Sequence, residues 1–195
     1  VDYFNSDAGS FSSYWMEIPP AAVAQEDFRK INKELKGVSR LPVVAFGRMN
    51  SPQLGEETLR AGEADLIGMA RQLIADPWTP EKTLRGRADL VRRCISCNDA
   101  CLYQVGQEKG IRCIQNPGAG RERQVNERLL APVTSPRSIV VVGGGPAGLK
   151  LAETAARRGH KVTLLEREQA LGGQVRYAEK QPEHANIGEV ISYLE

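Results

Sequence analysis

All four cysteines of this 195-residue chain fall in one stretch, Cys94-x2-Cys97-x3-Cys101-x11-Cys113. Thiolates are soft ligands that suit zinc and iron–sulfur clusters, and four are the usual complement for either. Structural zinc sites commonly use two separated close pairs. Here three cysteines crowd into eight residues and the fourth comes alone, which is closer to the three-plus-one wrapping of a [4Fe–4S] cube. Such clustering in a chain without secretory features favours metal binding over disulfides. Zinc and free or disulfide-bonded thiols are the alternatives. Arg85, Arg87, Arg92 and Arg93 precede the first cysteine. They read either as cations offsetting the negative charge of a thiolate-ligated cluster or as a solvated helix face.

A second constellation follows. Ser138–Val142 is a strand-like apolar run that leads into Gly143-Gly144-Gly145-Pro146-Ala147-Gly148 and then a helical stretch to about Arg158. A strand at Lys161–Leu165 ends in Glu166, eighteen residues past Gly148. A glycine-rich turn between strand and helix is a dinucleotide-binding arrangement. Gly143 permits the tight turn, Gly145 lets backbone approach a pyrophosphate, and Gly148 allows helix to pack closely on strand. The helix N-terminus faces the phosphates, and Glu166 is placed to accept from a ribose hydroxyl. The motif alone does not separate FAD from NAD.

The elements that must position these groups fall into three regions: residues 1–90, 91–134 and 135–195. The first alternates strand and helix: a strand ending near Asn5, a helix at 21–36 stopped by Gly37, and an apolar run Leu41–Phe46. A helix at 52–61 and a strand at 65–69 follow. Short loops in this order imply parallel strands joined by crossover helices. The second region holds the cysteines, with a connector at 115–136 expected to lie on a surface. The third begins the nucleotide unit and closes with a helix at 186–195. The composition, 41% hydrophobic and 26% charged with a formal net charge of +2, is that of a soluble, cytoplasmic protein. It offers no field for nucleic acid and no run long enough to span a membrane. The chain opens inside a strand and ends inside a helix, so we read it as a fragment that depends on the missing N- and C-terminal parts of the same enzyme.

The three pieces together resemble the Old Yellow Enzyme-like flavin/iron–sulfur oxidoreductases, which include 2,4-dienoyl-CoA reductase, trimethylamine dehydrogenase and demethylases of N-methylated amino acids. The stretches that carry the resemblance are Val44–Met49, Gly68–Arg71, Cys94–Cys101 and Cys113–Pro117. The resemblance implies an α/β fold: the C-terminal part of a TIM barrel, roughly strands six to eight, then an iron–sulfur segment, then the first part of a Rossmann-like FAD-binding domain. It places the FMN phosphate at Gly47 and Arg48 and at Ala70 and Arg71, at the ends of the last two barrel strands. The Gly-Gly-Gly-Pro-Ala-Gly-Leu variant and Leu171-Gly172-Gly173-Gln174 are similar to FAD-binding domains of the disulfide-reductase type. By that likeness Gly143, Gly145, Ala147, Gly148, Glu166, Arg167 and Gln174 hold FAD. A segment that binds NAD(P)H is expected beyond Glu195.

Within this family, dienoyl-CoA reductases carry a catalytic His four residues before the position of Ile18. Here Tyr14 stands there, and neither histidine, His160 or His184, is near in sequence. The loop from Ser6 to Pro20 looks more like the demethylase branch. The resemblance therefore favours oxidative N-demethylation of an N-methylated amino acid or amine, with Tyr14 as the candidate catalytic residue and Trp15 beside it. NAD(P)H-dependent enoyl reduction is the alternative, and a zinc-stabilised nucleotide-binding module without catalysis is a third. The implied partners are a small-molecule substrate, an electron-transfer partner and a second copy of the chain.

Overall fold

The computed structural model describes residues 1–195, the side chain of Ala185 excepted. In the first unit, β1 (Phe4–Ser6) is followed by a 3-10 turn at Phe11–Ser13, α1 (Tyr14–Glu17) and α2 (Gln25–Val38). Next come β2 (Val43–Ala45), α3 (Pro52–Arg60) and β3 (Leu66–Ile67). The three strands are parallel in the order β1-β2-β3, with Phe4 opposite Val43 and Val44 opposite Leu66. Val43 and Ala45 are fully buried, because a central parallel strand is covered on both faces. Ala45, Met49 and Ala64 form the core, with Leu54, Ile67 and Met69 packed against it.

Helix α2 starts later than its apolar spacing predicts. Pro20 to Val23 forms a turn, with Val23 N donating to Pro20 O at 3.2 Å, and the helix begins at Gln25. Gly37 does not stop it. The helix runs through Gly37 to Val38, and Ser39 N closes it on Leu35 O at 2.9 Å. Buried Asn32 on α2 accepts from Ser6 Oγ at the end of β1 and donates to Phe46 O at 3.4 Å just past β2. A polar residue on the inner face thus pins the helix to two strand ends. At α3, Ser51 caps the helix by accepting from Leu54 N at 3.1 Å, and Pro52 takes the first turn.

After β3 come α4 (Ala70–Ala75), α5 (Thr79–Leu84), a 3-10 turn at Ala88–Leu90, α6 (Leu102–Gly106) and a 3-10 turn at Glu127–Leu129. Asp76, completely buried, follows α4 and accepts from Trp78 N at 3.0 Å, Arg92 N at 2.9 Å and Lys82 Nζ at 2.6 Å. One carboxylate thus caps a turn, pairs with a lysine and fixes the chain entering the cysteine segment.

The last unit comprises β4 (Ser138–Val142), α7 (Pro146–Arg157), β5 (Lys161–Leu165), α8 (Val175–Ala178), a 3-10 run at Pro182–Gly188 and α9 (Glu189–Leu194). Only the last six residues before Glu195 form an α-helix, so the expected helix at 186–195 is shorter and is preceded by 3-10 turns. β4 and β5 pair in parallel from Ser138 opposite Lys161 to Val142 opposite Leu165. Gly143 takes φ 101°, and a Cβ at Gly148 would stand 1.9 Å from Gly143 O. Only glycine fits there, so α7 lies close over the turn. Among the described residues, no helix is long and apolar enough to cross a membrane.

The units are tied together by Arg92, which is 2% exposed. Its guanidinium donates to Gln115 O at 3.1 Å and to Tyr193 Oη at 3.3 Å, stacks on the Tyr193 ring at 4.8 Å and pairs with Glu127. Glu127 also pairs with Arg157 of α7 at 3.2 Å. Asp76→Ala would take the carboxylate from the Lys82 ammonium, leaving it only Leu90 O, and would leave the Trp78 and Arg92 amides without partners. Its expected cost in the whole protein is about 3–5 kcal/mol, read as a lowered denaturant midpoint.

Candidate functional site

Parallel strands send their C-terminal ends in one direction, so the loops that follow them share an edge, where ligands of parallel α/β sheets bind. Here that edge encloses a cavity of about 250 Å³. Asp7 after β1, Gly47 and Arg48 after β2, and Gly68, Ala70 and Arg71 after β3 line it. The structure therefore brings together the four residues Gly47, Arg48, Ala70 and Arg71. Arg48 is held in a left-handed conformation, φ 51°, a strained state for a non-glycine residue that surrounding contacts must enforce. Gln25 Nε2 donates to Arg48 O at 2.8 Å, and Arg48 Nη1 donates to the carbonyls of Ala21 and Val23. Its Nε is buried without a partner. Burial, and then the nearby Arg71 cation, lowers the pKa of the Arg48 guanidinium. Two cations facing one cavity favour an anion there.

Arg71 Nη1 donates to Pro19 O at 2.8 Å and to Asn98 Oδ1, and Asn98 Nδ2 donates to Ile18 O at 2.8 Å. Arg71 also lines a second, apolar cavity formed by Cys94, Cys97, Cys101 and Cys113 with Ile74, Ile95 and Ile114. Arg71 and Cys94 are thus common to both cavities. The four cysteines are unpaired thiols. Arg112 N donates to Ala100 O at 2.9 Å, which folds the strand-less chain so that Cys113 joins the other three. Ser96 and Asn98 take left-handed φ values of 54° and 58°, and Ser96 N donates to Cys94 Sγ at 3.4 Å. Burial pushes the Cys94 and Cys97 thiols up, and amide N–H groups partly offset this. Among the described residues, no group of three or more His, Cys, Asp or Glu is gathered tightly enough to hold a single metal ion.

The arginines that precede Cys94 do other work. Arg85 pairs with Glu81, Arg87 with Asp89, Arg92 with Glu127 and Arg93 with Glu189. None lines the four-cysteine cavity, where the cation is Arg71. Tyr14 is also not brought to the strand-end cavity. It opens α1, about half exposed, on a groove shared with Cys97, Asn98 and Tyr103.

At the nucleotide turn, Gly145 precedes α7 and Ala147 sits in its first turn. Glu166 accepts from Gly144 N at 2.6 Å and from Glu168 N at 2.9 Å, and these amides, Glu168's foremost, hold its carboxyl below the usual range. Gly172 N donates to Gly144 O at 2.8 Å, folding the Leu171–Gln174 segment back on the turn, with Gln174 just ahead of α8. Arg167 is exposed and pairs with Glu168.

Residues missing from the sequence-based site are polar and internal. Gln72, 1% exposed, accepts from Cys94 N at 2.8 Å and donates to Arg92 O at 3.0 Å and Thr79 Oγ1 at 2.9 Å. Asn50 Nδ2 donates to Cys94 O at 2.9 Å, and Asn116 Nδ2 to Ile74 O at 2.8 Å. Their only sequence signal is adjacency: Gln72 follows Arg71, and Asn116 lies three residues past Cys113.

Residues 14–89 match the NADH:flavin oxidoreductase / NADH oxidase family, and residues 141–191 match an NAD(P)-binding Rossmann-like domain. The chain is similar to an NADH oxidase of Thermoanaerobacter brockii, 40% identical over all of this chain and 30% of that protein. It is also similar to N,N-dimethylglycine/sarcosine dehydrogenase of Chromohalobacter salexigens, 33% identical over all of this chain and 28% of that one. Among solved structures, a 2-naphthoyl-CoA reductase complex superposes with a TM-score of 0.91 at 31% identity, covering all of this chain and 29% of that one. The chain thus spans under a third of the length of these relatives. Its first unit is the C-terminal part of a TIM barrel and its last the beginning of a Rossmann-like domain.

The Glu166 geometry carries a pH dependence. A carboxyl whose folded pKa is depressed adds stability above its unfolded pKa and loses it as pH falls through the folded value. The protection factor of the Gly144 amide, its exchange measured against the intrinsic rate at the same pH, should therefore fall on acidification below the usual glutamate range. In Glu166→Gln, that protection factor should stay constant over the same range.

Proposed function

We propose, from the match of residues 14–89 to the NADH:flavin oxidoreductase / NADH oxidase family, that the chain is the electron-transfer core of a flavin- and iron–sulfur-dependent oxidoreductase. The observation that carries the proposal is the shared wall. Arg71 and Cys94 line both the cavity at the strand ends and the cavity of the four cysteines, so groups held in the two would be neighbours. When bound, FMN in the first and a [4Fe–4S] cluster in the second supply hydride and single-electron chemistry respectively.

The donor sets fit these groups. Arg48 and Arg71 offer charge-assisted bonds to a phosphate, with Gly47 and Ala70 beside them in the lining. Four thiols facing an apolar cavity suit a multi-atom cluster. Ile74, Ile95 and Ile114 give the four-cysteine cavity an apolar lining, and the apolar shell around such a site helps set its potential. Gly143, Gly145, Ala147 and Gly148 leave backbone free to face the pyrophosphate of FAD, with Glu166, Arg167 and Gln174 around it.

For the reaction, NADH-driven reduction takes first place. The more similar of the two relatives is named an NADH oxidase, and Tyr14, the candidate catalytic residue of the demethylation reading, lies outside the strand-end cavity. Oxidative N-demethylation is the second reading, favoured by the Ser6–Pro20 loop and the relative named as a dimethylglycine/sarcosine dehydrogenase.

Anaerobic visible spectroscopy of the whole protein, with iron, sulfide and zinc analysis and flavin extraction, tests the proposal. The expected result is broad iron–sulfur absorbance, about four iron per chain and both FMN and FAD. Colourless protein with stoichiometric zinc would sink it. NADH should bleach the flavin; bleaching by N,N-dimethylglycine and not by NADH would put the second reading first.

A further inference from the structure

Gln72 fills a buried position in the wall of the strand-end cavity, and all of its side-chain bonds point toward the cysteine segment or the turn that supports it. Its Oε1 accepts from Cys94 N at 2.8 Å, and its Nε2 donates to Arg92 O at 3.0 Å and to Thr79 Oγ1 at 2.9 Å. Thr79 in turn donates to Asp76 O at 2.8 Å, and Asp76 accepts from Arg92 N at 2.9 Å. The chain from Arg92 to Cys94 has neither helix nor strand, so these side chains replace the backbone ladder it lacks. Helix α4, which carries Gln72, begins with Ala70 and Arg71 at the strand-end cavity. A six-residue element thus holds Arg71 at one cavity and the amide of the first cysteine at the other.

We infer that Gln72 is a positioning residue for the iron–sulfur site, holding Cys94 in place relative to the strand-end cavity through its amide N–H. This rests on the cluster reading above and extends it to a residue that is not itself a ligand of the cluster, although it also lines the strand-end cavity. Outer partners of metal ligands orient them and tune the site. Gln72 has the features of such a partner: it is 1% exposed, fully bonded and directly joined to a ligand's backbone.

The test compares Gln72→Met with Gln72→Glu in the whole holoenzyme. Met keeps the length and loses every bond, whereas Glu, kept protonated by burial against Arg92 O, keeps an acceptor for the Cys94 amide and a donor for that carbonyl. For the Met variant, the low-temperature EPR spectrum of the reduced protein should shift, and iron should pass to a chelator about 10- to 100-fold faster. The Glu variant should keep the native spectrum and native iron retention. If both variants show the native spectrum and iron retention while only melting temperature falls, Gln72 is merely structural and the inference is overturned. Equal disturbance in Met and Glu overturns it as well. If the Met variant does not fold, Thr79→Val removes one of the two acceptors that orient the Gln72 amide. A shifted EPR spectrum in that variant supports the inference and an unaltered one overturns it. Native protein without iron would instead refute the cluster reading itself, a result distinguishable before any variant is made.

Discussion

A buried backbone without helix or strand must find partners for its own amides and carbonyls, since an unpaired group away from water costs about as much as a lost hydrogen bond. The stretch from Val91 to Cys94 is under this constraint, and much of the molecule follows from how it is met. Asp76 takes the amide of Arg92, Gln72 takes the amide of Cys94 and the carbonyl of Arg92, and Asn50 takes the carbonyl of Cys94. Gln115 donates to the carbonyl of Arg93 at 2.7 Å. Once these bonds form, the first cysteine has one place, beside Arg71, and the remaining thiols are folded toward it.

The parts visible in the sequence are those whose chemistry is local. Cysteine spacing and glycine at Gly143 and Gly148 each need only near neighbours to be read, whereas Arg48 and Arg71 were pointed to by the family resemblance alone. The strands and α3 were legible for the same reason, since apolar runs and a Ser-Pro start are written within a few residues. The parts that stayed hidden are long-range. Gln72, Asn32, Asn116 and Asp76 are buried polar residues, and a sequence gives such residues the look of surface. Arg92 and Arg93 looked like a solvated or cluster-facing row. Their partners, Glu127 and Glu189, lie 35 and 96 residues away. Gly37 looked like a helix stop because glycine often ends helices, but a helix can run through a glycine when packing elsewhere holds it, at about 1 kcal/mol.

The two cavities divide the labour between charge and shape. At the strand ends, guanidinium groups are fixed by backbone carbonyls of the Pro19–Val23 turn, so they are oriented before any ligand arrives and lose little freedom on binding. At the cysteines, the left-handed residues Ser96 and Asn98 wrap the chain tightly about the apolar cavity. Asn98 joins the two by bonding Arg71 and Ile18 at once.

The Arg92–Glu127–Arg157 chain has a bearing on how such enzymes could be recombined. Glu127 sits in the connector, yet it is the shared anion of a cation from the cysteine segment and a cation from the nucleotide helix. A chimera cut in the exposed stretch just before Ser138 would put the anion and one of its cations in different parents. Grafting another nucleotide unit onto this scaffold would have to supply a cation at position 157 and an aromatic hydroxyl at position 193, or Glu127 would lose one of its two cations and the buried Arg92 one of its acceptors. The functional seam between modules therefore runs through side chains on both sides of the flexible-looking stretch, and modular exchange works only when those side chains travel together.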